Sequence, residues 1–475
     1  MTLLVPFMVN AGVNFALGLL IAAFLGPAAF GLYAIAAATV VLLATAGLDW
    51  IKLAAVRFYS ARTREAEPEI RATLDLVFIG AALLLCLVPA IVAAAGWRIG
   101  LPPALLAAAV AAGIGTGWFE YYGVLARALF LDRVYARLVL LRCAVALAVM
   151  VGLAWATREP LPVVLGGLAA SLVAVLSVRA ALSDGPLRPA TFRRDWAGEI
   201  LRYGLPLVAG NAVYSLIPLL NRTWLAETHG LAEAGYFSLA SDIGLKLFGT
   251  LATTVEILAL RHVLRLDEIS GRAAALAQIG RNIVLALAVV LPAAVGLWLV
   301  LPAFEKLVVP MAFRGHFAAD MALLLPGFAA LAAFQAALAP VFLLDKRTLA
   351  TTLMALLALA LNLLLLVLLA PGHGAGTAPV AQSAALVAVM LLGAALVLPR
   401  LPEAPPLRDT AIVLLATLAM AALLWPLQGR FAPAIELPLQ ILLGAGIYLG
   451  FVLGCDVGGW GRLLLARLRS RRRLR

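Results

Sequence analysis

Long apolar runs separated by short polar stretches repeat from one end of this chain to the other. Runs long enough to cross a bilayer fall near 3–25, 30–51, 73–96, 102–126, 134–156, 160–182 and 203–225. They continue near 233–260, 282–301, 318–344, 348–370, 377–399, 409–428 and 434–457. Each run holds roughly 20 residues, which as a helix rising 1.5 Å per residue matches the roughly 30 Å hydrocarbon core. Within a bilayer every backbone N–H and C=O must be satisfied inside its own segment, so such runs fold as helices. The pattern therefore predicts an all-α polytopic integral membrane protein with about fourteen transmembrane helices. The first run has no basic stretch ahead of it, so we expect a retained helix and not a cleaved signal.

The polar connections add orientation. Of the 36 Lys and Arg, 29 fall in the tail or in and beside alternate connections, only six in or beside the intervening ones, and Lys246 lies near the middle of a run. Basic residues concentrate on the cytoplasmic side of membrane proteins. The expected topology therefore has both termini inside, in a multi-pass protein of the bacterial inner membrane. The net charge of +12 is then a topology signal plus attraction to anionic membrane lipids, and nucleic acid is not an expected partner.

Composition agrees. Apolar residues make up 64% of the chain and charged residues 13%, too few charges to cover a surface facing water. Cys86, Cys143 and Cys455 show no metal or redox spacing and are expected in the apolar core. His229, His262, His316 and His373 are scattered singly and expected in loops, so no metal site is expected. Neither a phosphate-binding glycine loop nor a Gly-x-Ser-x-Gly elbow is present. With no catalytic constellation, the chain is read as a carrier and not an enzyme, with no cofactor beyond a proton or sodium gradient.

Shifting the sequence by 204 residues against itself superposes Gly26 on Gly230, Ala28 on Ala232, Gly31 on Gly235, Ala36 on Ala240, Leu43 on Leu247 and Arg57 on Arg261. Six helices per repeat is an even number, so the repeats are parallel, related by an axis along the membrane normal. The expected organisation is a six-helix lobe over 1–183, a linker over 184–202 and a second six-helix lobe over 203–400. Two additional helices over 401–457 and a basic tail over 458–475 complete it.

Asn14 and the run Leu25-Gly26-Pro27-Ala28-Ala29-Phe30-Gly31-Leu32-Tyr33 resemble the first hairpin of bacterial polysaccharide flippases. Arg202-Tyr203-Gly204-Leu205-Pro206-Leu207 and Gly235-Tyr236-Phe237-Ser238-Leu239-Ala240 resemble the corresponding stretch of the second half. These flippases form the O-antigen-type branch of the multidrug/oligosaccharidyl-lipid/polysaccharide exporter superfamily, whose twelve-plus-two plan matches the runs here. One departure is that many relatives carry an acid beside the arginine late in the seventh helix, where this chain has Asn221-Arg222. The resemblance implies a flippase that moves undecaprenyl-pyrophosphate-linked oligosaccharide across the inner membrane by alternating access, for surface polysaccharide or lipopolysaccharide biosynthesis. It also implies a polysaccharide polymerase and chain-length machinery as partners.

Polar residues inside the runs are the site candidates. An isolated Lys at mid-helix costs roughly 2.5–3.5 kcal/mol to insert, which singles out Lys246. Asp242 lies one turn before it, and Thr253 and Glu256 lie on nearby faces. Two readings stand: a cavity stripe for an anionic headgroup or a coupling ion, or an Asp242–Lys246 pair that only pins packing. Asn10 and Asn14 share one face of the first helix, and Asn211, Tyr214 and Asn221 with Arg222 follow a stripe on the seventh. These read either as cavity lining or as interhelical hydrogen bonding. Glu120 is a proton or sodium candidate, with Arg127 two turns on as its expected partner. Arg57 and Arg261 stand at helix ends where a pyrophosphate would enter, although topology alone also explains them.

Three alternatives remain: a cation-coupled multidrug antiporter of the same superfamily, a membrane-embedded glycan polymerase or transferase, and a major-facilitator carrier. The extra helix pair, the short outside loops and the missing acidic-Arg signature after the second run argue against each in turn. The charge asymmetry carries a test. Reporters fused after Arg475 and within 302–317 should report opposite sides of the membrane, and the same side for both would remove the fourteen-helix topology.

Overall fold

The structure is a computed structural model and describes residues 4–67, 69–96, 100–184, 192–345, 348–460 and 462. Arg98, Arg188, Lys346, Arg347 and the basic tail beyond Arg462 lie outside the described residues. No strand occurs among those described. The first nine helices are α1 Leu4–Phe58, α2 Ala61–Ala66, α3 Glu69–Cys86, α4 Val88–Ala94, α5 Pro103–Ala128, α6 Asp132–Thr157, α7 Pro160–Val178, α8 Arg194–Thr228 and α9 Leu231–Ser270. The remainder are α10 Arg272–Val308, α11 His316–Ala333, α12 Ala339–Leu344, α13 Thr348–His373, α14 Thr377–Val397, α15 Leu407–Leu424 and α16 Pro433–Gly454.

Among the described residues, 13 helical stretches are long and apolar enough to cross a membrane. The first covers 51 residues, Met8–Phe58, which as one straight rod would measure about 75 Å, more than twice a hydrocarbon core. It is broken at Gly26, whose φ of 74° and ψ of 171° are not helical. Pro27 follows with its ring preset for the first helical position. Two crossing segments meet at that break, which recovers fourteen. The helices overrun several predicted ends, because a hydropathy window stops at the first charge and backbone hydrogen bonding does not. The second segment of α1 continues past Ile51 to Phe58, α3 begins at Glu69, α8 at Arg194, and α9 extends to Ser270. His262 is consequently helical rather than in a loop, His316 opens α11 and His373 closes α13.

The chain clusters into two compact units, Met1–Leu239 and Ala240–Arg475. In the first, α1 packs along α5, α6 and α8, and α7 packs on α5 and α6. Its core gathers Leu48, Ile51, Ala54, Leu74, Tyr121, Leu125, Leu138 and Val175. In the second, α14 packs on α11 and α13, while α10 carries α15 and α16. Val284, Ala288, Leu299, Ala416, Met420 and Val452 form the core beneath that last pair. Tyr448 Oη and Gln428 Nε2 each donate to a backbone carbonyl of α10, at Ala288 and Leu299, both at 2.7 Å. The appended pair is thus pinned to the second unit by hydrogen bonds as well as by packing.

Cys143 is buried as expected, but Cys86 is exposed and Cys455 half-buried. Cys86 shares its surroundings with the exposed Leu83, Leu84 and Leu87, a face that suits lipid. In a bilayer an apolar residue gains as much from acyl chains as from a protein core.

The repeat is visible in one contact. Gly26 and Gly230, 204 residues apart, both take positive φ (74° and 96°), and each ends one helix and opens the next. Five residues further on, Gly31 and Gly235 meet. A Cβ on Gly31 would lie 2.0 Å from the Leu231 carbonyl oxygen, and one on Gly235 would lie 2.1 Å from that of Pro27. Shifting 31 and 27 by 204 gives 235 and 231, so the two partners exchange roles. Such reciprocity is the signature of a local two-fold axis passing between the helices. Small residues at membrane-helix crossings let backbones touch where side chains would hold them apart.

The contact generates a stability prediction. Gly31→Ala drives a methyl group into a backbone carbonyl and should destabilise the protein by at least about 1–3 kcal/mol, the range for overpacking. Gly12→Ala, with nothing within 4 Å of the added carbon, should leave the melting temperature of the purified protein unchanged or raised. Equal melting temperatures for the two variants would show that the backbones are not in contact.

Candidate functional site: a polar string in the first unit

The second segment of α1 carries Asp49 and Lys52 one turn apart, and α5 brings Glu120 against them. Lys52 Nζ lies 2.8 Å from Asp49 Oδ1 and also donates to Glu120 Oε2. One ammonium therefore serves two carboxylates. Lys52 and Asp49 are largely covered, at 21% and 19% side-chain exposure, whereas Glu120 is 39% exposed and forms the open side of the triad. Glu120 also acts electrostatically on Arg142 of α6, whose guanidinium lies 4.2 Å from the centroid of the Phe119 ring. Two carboxylates, one ammonium and one guanidinium sum to zero. That balance is what permits four charges within segments read as crossing the membrane.

The next residue on α6 links this group to the first segment of α1. Cys143 Sγ donates to Asn10 Oδ1 at 3.5 Å, a long contact at the weak end of thiol hydrogen bonding. Asn14 Nδ2 donates to the Asn10 carbonyl and to Asn10 Oδ1, at 2.8 and 2.9 Å. Asn14, Asn10, Cys143, Arg142, Glu120, Lys52 and Asp49 thus form a string running through α1, α6, α5 and back to α1. Sequence reasoning had Asn10, Asn14 and Glu120 as separate candidates; the first unit places them on one string.

The expected partner of Glu120 is corrected. Arg127 turns away, with Nε donating to the Gly123 carbonyl at 3.2 Å and the guanidinium 5.5 Å from the Tyr135 ring centroid. Lys52 and Arg142, read from sequence as topology charges in loops, are helical and lie in the site. The signal for Lys52 was present in the repeat: the 204-residue shift places Thr253 at Asp49 and Glu256 at Lys52. A charge-bearing position is therefore common to both halves, with its sign reversed.

Arg71 also leaves its expected loop. It lies in α3, only 4% exposed, its Nε donating to Asp75 Oδ2 at 2.9 Å, and Tyr121 Oη donates to Asp75 Oδ1 at 2.8 Å. The rings of Tyr59, Tyr121 and Tyr122 surround the guanidinium at 5.8, 5.4 and 5.7 Å. Tyr59 Oη donates in turn to Asp184 at 2.8 Å, and Arg64 pairs with the same carboxylate. Burial and the Asp184 carboxylate push the Tyr59 phenol up to about 12, so it stays a donor across the physiological range. This second cluster ties the α1–α3 connection to α5 and the end of α7.

The other candidates are distributed as follows. Asn221 and Arg222 are buried in α8, and Arg222 Nη1 donates to the Ala34 carbonyl of α1 at 2.9 Å. Asn211 is exposed on α8 and its carbonyl accepts from Ser215 Oγ at 2.9 Å. Tyr214 is half-buried. Arg57 is exposed and its guanidinium lies 5.1 Å from the Tyr203 ring centroid, while Arg261 is exposed on α9. In the second unit Lys246 is exposed and Asp242 and Glu256 are half-buried along α9. Among the described residues, no group of three or more His, Cys, Asp or Glu is placed to hold a metal ion.

Fourteen apolar crossing segments, a glycine contact repeated by two-fold exchange and a neutral charged string define a polytopic all-α membrane protein built from parallel repeats. Its fold is similar to those of solved membrane transporters, two of them described as members of the MOP superfamily. The lipid II flippase MurJ, in an inward closed conformation, is similar with a TM-score of 0.73 and 15% identity, covering 94% of this chain and 97% of MurJ. A multidrug resistance MATE family transporter of the MOP superfamily, in its outward-facing conformation, is similar at 0.53 and 14% identity, covering 84% of this chain and 94% of that one. A MOP superfamily transporter from Pyrococcus furiosus is similar at 0.53 and 15% identity, over 84% and 94%. No family model and no curated protein sequence matches, so the likeness lies in the fold.

The triad predicts a specific stability pattern. Lys52→Met strands two carboxylates and should lower stability by roughly 1–3 kcal/mol, less than the 3–5 of a fully buried pair because Glu120 is partly exposed. Adding Asp49→Asn and Glu120→Gln to that variant should recover most of the loss in melting temperature. A triple variant no more stable than Lys52→Met would mean that the three charges are not coupled.

Proposed function

We propose that this protein is a flippase that moves an undecaprenyl-pyrophosphate-linked oligosaccharide across the bacterial inner membrane by alternating access. The observation that carries the reading is the extent of the fold likeness. Similarity to MurJ spans 94% of the chain, against 84% for the MATE and Pyrococcus structures. The ten-point difference is about the share of the chain held by the α15–α16 region, a pair the multidrug plan does not need.

Physical chemistry supports the same reading. A polyprenyl tail can remain in the bilayer while only the headgroup needs a polar path, for which the string from Asn14 to Asp49 is the candidate in the first unit. A headgroup carrying phosphate charge calls for basic side chains within the crossing helices, and Lys52, Arg142 and Lys246 are helical there. In this proposal both termini are cytoplasmic, the product feeds surface polysaccharide or lipopolysaccharide assembly, and a polymerase with its chain-length machinery takes it up outside. Transport, not catalysis, is the activity. A cation-coupled multidrug antiporter is the second reading, favoured by the shared MOP fold and by Glu120 as a site for a coupling ion.

Deletion of the gene, in a strain lacking paralogues, separates the two. The flippase reading expects surface polysaccharide to stop while lipid-linked precursor accumulates in the cytoplasmic leaflet. Normal polysaccharide together with new drug sensitivity would replace it with the antiporter.

A further inference from the structure

The turn between α15 and α16 holds a buried carboxylate that lacks a counter-charge. Glu436, in the first turn of α16, is 3% exposed, and among the described residues no cationic side chain pairs with it. Its two donors are neutral and both reach Oε1: the Gly429 N–H at 2.9 Å and Gln440 Nε2 at 3.1 Å. One turn further along α16, Gln440 is 1% exposed, and its Oε1 is buried with no donor among the described residues. Exchanging that amide's oxygen and nitrogen would set oxygen against the carboxylate and orphan the nitrogen instead. A buried, uncompensated charge and a buried acceptor lacking a donor thus lie side by side, and each alone is costly.

We propose that Glu436 and Gln440 hold a small monovalent metal cation, of the sodium class, which fastens the α15–α16 pair to α10. Such an ion answers both deficits at once, cancelling the carboxylate charge and giving the amide oxygen a partner. A water molecule would supply a donor to the amide oxygen but leave the charge uncompensated. Carboxylate and amide oxygens are hard donors, the kind that alkali and alkaline-earth cations take. One carboxylate supplies a single negative charge, which a monovalent ion cancels and a divalent one would overshoot. Binding exchanges part of the ion's water shell for the two side-chain oxygens, and no covalent bond forms or breaks.

The position suits a fastening. Gln428 Nε2 donates to the Leu299 carbonyl of α10 at 2.7 Å, and the next residue, Gly429, donates to Glu436. These two neighbours bridge α10 to α16, with Gly429 at a φ of 71° that favours glycine. Trp298 of α10 and Trp425 at the end of α15 pack at the same corner, their ring centroids 5.1 Å apart. An ion on Glu436 fixes the carboxylate, and the carboxylate fixes the turn. The site lies outside both six-helix repeats, in the appended pair alone, so it is independent of the headgroup proposed as cargo.

Hydrogen-exchange mass spectrometry of the purified full-length protein, in sodium chloride against choline chloride at equal ionic strength, reads the site locally. Peptides within 425–440 should exchange about tenfold more slowly in sodium, with a saturable dependence on its concentration. Glu436→Gln, which removes the charge, should lose that dependence. Gln440→Met, which removes the amide oxygen, should need at least about tenfold more sodium for half the effect. Equal exchange over 425–440 in sodium and in choline overturns the proposal, and so does a sodium dependence that survives intact in either folded variant. Slowing spread evenly over the protein, and not centred on 425–440, puts the ion elsewhere and overturns it too. Should Glu436→Gln fail to fold, Gln440→Met decides alone: a raised half-effect concentration upholds the site and an unchanged one overturns it.

Discussion

The closest constraint in this molecule is the place where two backbones touch. At Gly31 and Gly235 there is no room for one carbon atom on either helix, and the carbonyls of Leu231 and Pro27 fill the space. Inside a bilayer the hydrophobic effect does not drive helices together, because lipid tails are as apolar as leucine. Close packing and polar contacts have to do it. This contact brings the start of α9 against the second segment of α1, and near it the buried Arg222 of α8 reaches the Ala34 carbonyl of the same segment. The compact first unit accordingly runs to Leu239, beyond its own six-helix repeat.

The second constraint is charge. Segments that face lipid tolerate few ionised groups, yet the first unit holds Asp49, Lys52, Glu120 and Arg142 together on three helices. They are tolerated because they cancel, because Lys52 contacts both carboxylates, and because the Arg142 guanidinium lies over the Phe119 ring. Arg71, enclosed by three tyrosine rings and paired with Asp75, is a deeply buried, fixed cation that anchors the helix ends.

Much of this was legible in the sequence. Every crossing segment was, because a run of some twenty apolar residues has one outcome in a bilayer. The glycine pairs were also legible, because a 204-residue shift superposes them. What the shift does not reveal is that Gly31 and Gly235 touch each other; that requires the fold. The site was half legible. Asn10, Asn14 and Glu120 stand out as polar residues in apolar runs, but the partner of Glu120 is 68 positions away in sequence, on another helix. Lys52 and Arg142 escaped because basic residues close to a span boundary read as topology markers. A carboxylate on a neighbouring helix lets such a residue sit a turn or more further in. Lys246, the most conspicuous charge in sequence, lies exposed on α9.

The activity proposed for this chain is transfer of a lipid-linked anionic headgroup from one leaflet to the other. Its most direct test is reconstitution of the purified protein in liposomes with a fluorescent undecaprenyl-pyrophosphate-linked sugar, followed by quenching of the label exposed in the outer leaflet. The protected fraction should fall steadily in vesicles containing the wild-type protein. Vesicles containing a folded Lys52→Met, Asp49→Asn, Glu120→Gln variant should keep most of that fraction. A protected fraction as persistent with the wild-type protein as in protein-free liposomes would contradict it.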